Sequence, residues 1–158
     1  MRRKPAAFLM KRIDDMKQDQ LIAAAIEARA KAYAPYSNHP VGVALLADDG
    51  NIYSGCNVEN AAYPLGFCGE PNAIGNMIMG GGKTIRHLVV AGPGYHVCTP
   101  CGGCRQQLRE FTGADDIRIT VCDVTGAIVS ETTLSALLPH SFAPENVAEV
   151  SSMESNKS

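Results

Sequence analysis

The chain is predicted to be an α/β protein in three layers, with helices over both faces of a central mixed five-stranded sheet. Three observations carry this. A helical stripe is followed by a hairpin and then by strands alternating with helices, an order that sandwiches a sheet between helix layers. Five short runs, 41–47, 51–57, 85–92, 116–123 and 125–131, have strand length and strand composition. The 158 residues, 46% of them hydrophobic, suffice for one core without disulfide help, and no repeat or linker divides them.

The elements follow in order. From about Asp19 to Tyr33, Leu21, Ile22, Ala25, Ile26, Ala32 and Tyr33 recur at helical spacing, and Pro35 stops the helix. "VGVALLA" (41–47) and "NIYSGCN" (51–57) flank the turn "DDG" and read as a hairpin. A helix is predicted from near Cys68 to Met79, with Ala73, Ile74, Met77 and Ile78 as its buried stripe and "GGG" (80–82) as its end. "IRHLVVAG" (85–92) is a strand, "PGYHVCTP" (93–100) a loop, and a short helix runs from near Cys101 to Phe111. Strands over 116–123 and 125–131 and a last helical turn within 133–142 complete the domain, taken as 19–142. Residues 1–18 are expected to form a poorly ordered extension and 143–158 a polar, mobile tail.

Bulk charge excludes several functions. A formal net charge of −2 and a pI near 6.1 give no long-range attraction for nucleic acid or anionic membrane. No apolar run approaches the ~18 residues of a membrane span. "MRRKPAAFLMKRIDD" has five basic residues before its first acid, but its apolar stretch is too short for a signal peptide and it lacks the serines of an organelle leader. A soluble, cytoplasmic protein is expected, with no nucleic acid and no membrane among its partners.

The six cysteines point to metal rather than disulfides, because three of them fall within seven residues. In "CTPCGGCRQQ" (98–107), Cys101 and Cys104 open a helix three residues apart, so both can reach one ion. In "FCGEPNAI" (67–74), Cys68 opens another helix with Glu70 two residues on. Amides at a helix start favour thiolate over thiol. Three protein ligands with an open fourth place is the catalytic zinc pattern, whereas structural sites are closed. Cys-x-Glu followed by Pro-Cys-x-x-Cys is the signature of zinc deaminases, with the glutamate moving protons rather than binding metal. Cys98, Cys101 and Cys104 also begin an iron–sulfur spacing, but Leu108 stands where that run needs its next cysteine. Cys56 and Cys122 fall in strands and are assigned to packing, and none of the histidines 39, 87, 96 and 140 is assigned to zinc.

With these residues in view, the chain resembles the small, homotetrameric cytidine deaminases that bind zinc through three cysteines. The likeness rests on "YAPYSNHPVGVALL" (33–46), "GCNVENAAYP" (55–64), "CGEPNAI" (68–74), "PCGGCRQ" (100–106) and "LLPHSF" (137–142), in the family's order over roughly residues 20–142. The resemblance implies one Zn²⁺ per chain on Cys68, Cys101 and Cys104, with Glu70 as proton shuttle. It implies hydrolysis of cytidine and 2′-deoxycytidine to uridine and 2′-deoxyuridine, with release of ammonia, in pyrimidine salvage. Asn57 and Glu59 would bind the sugar hydroxyl, although spacing alone favours turn capping for both. The Gly69 N–H would meet the pyrimidine carbonyl, and Phe142 would complete a neighbouring subunit's pocket in a homotetramer, a homodimer being the alternative.

Three positions depart from the family pattern. His39 replaces a phenylalanine against the substrate, and its polar edge is expected to shift substrate preference. Gly69 replaces alanine and is expected to free space near the ring. Pro71 replaces an arginine that bonds ligand thiolates, which leaves two helix N-termini and Arg105 to offset a site whose three thiolates and Zn²⁺ sum to −1. Two other readings stay open: deamination of a different or N4-substituted aminopyrimidine nucleoside, and a catalytically silent zinc-binding module, which a fourth ligand from Cys98 would favour.

Overall fold

The computed structural model describes residues 6–148, with side chains from Asp14 onward. Its order is α1 (Ala6–Ala30), β1 (Gly42–Ala47), β2 (Ile52–Cys56), a 3₁₀ turn (Tyr63–Leu65), α2 (Gly69–Gly80), β3 (Ile85–Ala91), α3 (Gly102–Glu110), β4 (Arg118–Cys122), β5 (Ile128–Thr133) and α4 (Leu134–Leu137). The five strands form one sheet in the order β2-β1-β3-β4-β5. Only β3 and β4 run parallel, so the sheet is mixed as predicted.

Strand alternation sorts the core into two layers. Val43, Leu45, Leu88, Val90, Ile119 and Val121 face α2 and α3, where they meet Ala73, Met77 and Leu108. Ala44, Val89, Ala91 and Cys122 face α1 and pack on Leu21 and Ala25. Edge strand β2 is covered by α2, whose Asn72 and Asn76 side chains donate to the carbonyls of Cys56 and Ser54 (2.8 Å each). Those bonds satisfy an edge that would otherwise invite another strand.

Four expectations need correction. Helix α1 starts at Ala6 rather than near Asp19, since no glycine or proline interrupts 6–34. The stretch expected as a loose extension is therefore helical from Ala6 to residue 18, and Gln18 is buried, donating to Glu131 (3.1 Å); residues 1–5 lie outside the described residues. The same helix ends at Ala30, not Tyr33. Tyr33 leaves it to pair with the 57–59 segment, taking a bond from Glu59 N–H (2.8 Å) and giving one to Asn57 O (3.0 Å), and its ring is 55% exposed. Strand β5 starts at Ile128 because the Asp123 carboxylate gathers the N–H groups of Thr125 and Ala127 into a turn. Finally, the expected tail is engaged at its start: Ala143 is buried and Arg109 binds Glu145, while 149–158 lie outside the described residues.

Candidate functional site

Cys68 is the N-cap of α2 and Cys101 the N-cap of α3, and neither side chain caps its own helix. Both thiols turn instead toward Cys104, in the first turn of α3. The three Sγ atoms lie within 4.8 Å of one another, with Cys68–Cys101 at 3.9 Å and Cys101–Cys104 at 3.3 Å. Tetrahedral bonds of ~2.3 Å to zinc would set sulfurs about 3.8 Å apart, so the donor set fits that ion. Two helix N-termini therefore face one sulfur cluster, which favours negative charge there. The Cys68 thiol is pushed down, chiefly by Cys104 beside it, while Cys104 is pushed up by Cys68, by burial and by Glu70.

Glu70 lies beside this cluster at 4% exposure, and its Oε2 is 3.2 Å from the Cys104 Sγ. Burial raises its pKa, so the carboxyl holds a proton more readily than an exposed acid. The structure thus brings together all four residues that the sequence singled out for metal and proton transfer.

The remaining residues named from sequence sit around this centre in different ways. Asn57 clamps the segment before β1: its Oδ1 accepts from Val41 N–H (2.8 Å) and its Nδ2 donates to His39 O (3.0 Å). Glu59 holds the turn at 36–37, accepting from Tyr36 N–H (2.8 Å), Ser37 N–H (3.2 Å) and the Ser37 hydroxyl. A cleft of about 380 Å³ opens beside it, lined by Tyr36, Ser37, Glu59, Asn60, Tyr63 and Gly66. His39 is half-buried, with Nε2 3.8 Å from the Cys98 Sγ and its ring stacked on His96 at 5.5 Å. Phe142 stands apart on the surface at 63% exposure.

Gly69 does not widen a pocket as expected. A methyl there would point at the sheet, 2.9 Å from Val43 Cγ2. Nor does Arg105 face the thiols: its guanidinium donates to the Pro100 and Leu137 carbonyls and the Thr99 hydroxyl. Sequence reasoning passed over the His39–His96 stack and the turn of Cys98 toward His39. Neither pair has a spacing signal, since each joins residues 57 or 59 positions apart through irregular chain.

A mixed sheet that carries two helix N-termini, three converging thiols and a buried carboxylate defines a zinc-dependent hydrolytic deaminase. A family model described as the cytidine and deoxycytidylate deaminase zinc-binding region matches residues 3–91. The cytidine deaminase of Sporosarcina psychrophila is 40% identical over 133 residues, 84% of this chain and 96% of that protein. That of Halalkalibacterium halodurans is 38% identical over 132 residues, 84% and 98% respectively. The crystal structure of the Burkholderia pseudomallei cytidine deaminase aligns with a TM-score of 0.71 at 39% identity, covering 78% of this chain and 98% of that one. The chain belongs to the cytidine deaminase family, and zinc is its cofactor. Among the described residues no helix is long and apolar enough to cross a membrane.

Proposed function

We propose that the chain hydrolyses cytidine and 2′-deoxycytidine to uridine and 2′-deoxyuridine with release of ammonia, in pyrimidine salvage in the cytoplasm. The observation that carries this is the buried Glu70 carboxyl 3.2 Å from one of three converging thiols. Cys68, Cys101 and Cys104 would hold one zinc ion per chain, and the ion, when bound, supplies Lewis acidity and an acidified water. Glu70 takes a proton from the attacking water on Oε2 and passes it to ring N3, which makes C4 electrophilic. It then passes the second proton to the departing amine. Gly69, first residue of α2, has an amide with no partner inside its helix and would receive the pyrimidine carbonyl.

The sugar hydroxyl is assigned to Glu59 and Asn57, supported by the cleft beside Glu59. Both side chains already brace the 36–41 segment, so they would shape the sugar site as well as touch it. The homotetramer is supported by the exposed rings of Tyr36 and Tyr63, which line that cleft. An exposed Phe142 whose carbonyl is held by Gln106 (3.0 Å) is free to close a neighbour's pocket.

The polar edge of His39 beside Cys98 favours a second substrate class, an N4-substituted or otherwise altered aminopyrimidine nucleoside. Against a silent zinc module stands Cys98, which turns to His39 and is outside the three-sulfur group. The test is ultraviolet absorbance loss on incubating zinc-loaded protein with cytidine, with Glu70→Gln as control. Loss with wild type alone supports nucleoside deamination. No loss with one zinc bound per chain sinks the cytidine assignment and directs the assay to N4-substituted cytidines.

A further inference from the structure

Arg105 uses all three guanidinium nitrogens on one task. Nε donates to Pro100 O (2.8 Å), Nη2 to Thr99 Oγ1 (3.1 Å) and Nη1 to Leu137 O (2.9 Å). The first two acceptors belong to the residues immediately before Cys101. The third belongs to the end of α4, more than thirty positions away. Arg105 also follows Cys104 directly, and its own N–H bonds the Cys101 carbonyl (2.9 Å).

This matters because the thiols are anchored unequally. Cys104 is buried on a helix, whereas Cys101 is exposed at the end of the irregular 93–100 loop. Its placement depends on what holds that loop, and the guanidinium fork does so. Neighbouring residues on α3 extend the fastening toward the C-terminus. Gln106 holds Phe142 O (3.0 Å), and Arg109 holds Ser141 Oγ (2.9 Å) and Glu145.

We propose that Arg105 is a positioning residue for the zinc centre, which fixes Cys101 through residues 99–100 and couples that placement to the end of α4. The coupling is mechanical and not a matter of charge, since the donors meet carbonyl and hydroxyl oxygens and no sulfur. A lysine, with one compact ammonium, cannot span three acceptors that a planar fork bridges.

The inference rests on the zinc site and is independent of which nucleoside is turned over. The experiment measures zinc affinity by chelator competition for wild type, Arg105→Met, Arg105→Lys, Thr99→Val and Arg109→Met, together with thiolate-to-metal absorption of the Co²⁺ forms. Hydrogen exchange of residues 134–142 is followed with and without zinc. Loss of a partner that orients metal ligands costs roughly 10–100-fold in affinity. That range is expected for Arg105→Met and for Arg105→Lys, with a shifted Co²⁺ spectrum and with exchange of 134–142 no longer slowed by zinc. Thr99→Val, which removes one bond of three and spares the helix, is expected to weaken zinc by a smaller factor. Arg109→Met loosens residues 141–145, which Arg105 does not touch, and leaves zinc affinity and spectrum unchanged. Wild-type affinity and spectrum in Arg105→Lys overturn the proposal, whatever Thr99→Val shows. Failure of wild type to bind zinc would instead strike at the metal assignment.

Discussion

Oε2 of Glu70 lies 3.2 Å from the Sγ of Cys104, and both groups are buried. The acid that moves protons is thus held against a ligand of the metal, in surroundings that disfavour its charge. Burial raises its pKa, so in metal-free protein its contribution to folding is fully present below the ordinary carboxylate range and is lost as pH rises through the raised value. Glu70→Gln is expected to keep zinc, lose a factor of roughly 10²–10⁴ in kcat, and melt higher than wild type when both are metal-free at pH 8. Calorimetry of the two apo proteins checks the last point, and a lower melting temperature for the variant would contradict it.

Zinc removal should loosen the junction of α2 and α3 more than the rest of the fold. The thiols are the contact between the two helix starts, while the sheet and its core are built without them. Chelation is expected to abolish activity and lower the melting temperature, and added zinc to restore both. At free zinc a hundredfold above its dissociation constant, the stabilisation is about 2.7 kcal/mol. Denaturant unfolding at fixed zinc concentrations measures it.

On the opposite face of the sheet, His87 is buried against Thr120, its Nε2 2.9 Å from the Thr120 hydroxyl. Burial first, and the charge of Arg118 second, lower its pKa from 6.5 to about 4, with Glu131 opposing. A base with a depressed folded pKa binds fewer protons folded than unfolded. Its contribution is therefore complete above pH 6.5 and is lost as pH falls toward 4, at a cost of up to about 3 kcal/mol. Urea unfolding at pH 7, 6, 5 and 4 should show that decline, and His87→Gln should flatten it.

Gly55 in β2 faces the first turn of α2 backbone to backbone. A Cβ there would fall 2.5 Å from Ala73 N and 2.6 Å from Gly69 O. Gly55→Ala is expected to cost about 1–3 kcal/mol or more, and to weaken zinc by displacing Cys68 and Glu70. Gly69→Ala meets a side chain instead, Val43 Cγ2, which can yield, so its melting temperature should fall less. Comparing the two melting temperatures and zinc affinities decides the matter.

The metal centre was legible because its residues lie at helix starts, where short spacing converts directly into proximity: Cys101 and Cys104 share a turn, and Glu70 follows Cys68 by two. The sheet was legible from alternation, down to which strands pair as a hairpin. What escaped depends on partners distant in sequence. Tyr33 continues a helical stripe by spacing, yet it pairs with 57–59. The role of Asn57 as a brace could be read from its type after a strand, but its targets at 39–41 could not. Arg105 looked like a cation near thiolates, and only the fold brought Leu137 O within its reach.

The close approach at Gly55, and that at Gly42, where a Cβ would fall 2.0 Å from Ala25 O, divide the molecule by stiffness. Main chain rests on main chain at both places, α2 on β2 at Gly55 and α1 on β1 at Gly42. Glu70 therefore stands on a helix whose first turn packs backbone to backbone against β2. Side chains fasten the 93–100 loop to the end of α4 (Arg105), hold residues 141–145 (Gln106 and Arg109) and brace the 36–41 segment (Asn57 and Glu59). Opening that admits nucleoside and releases ammonia is therefore expected at those tied stretches, with the support of Glu70 staying in place.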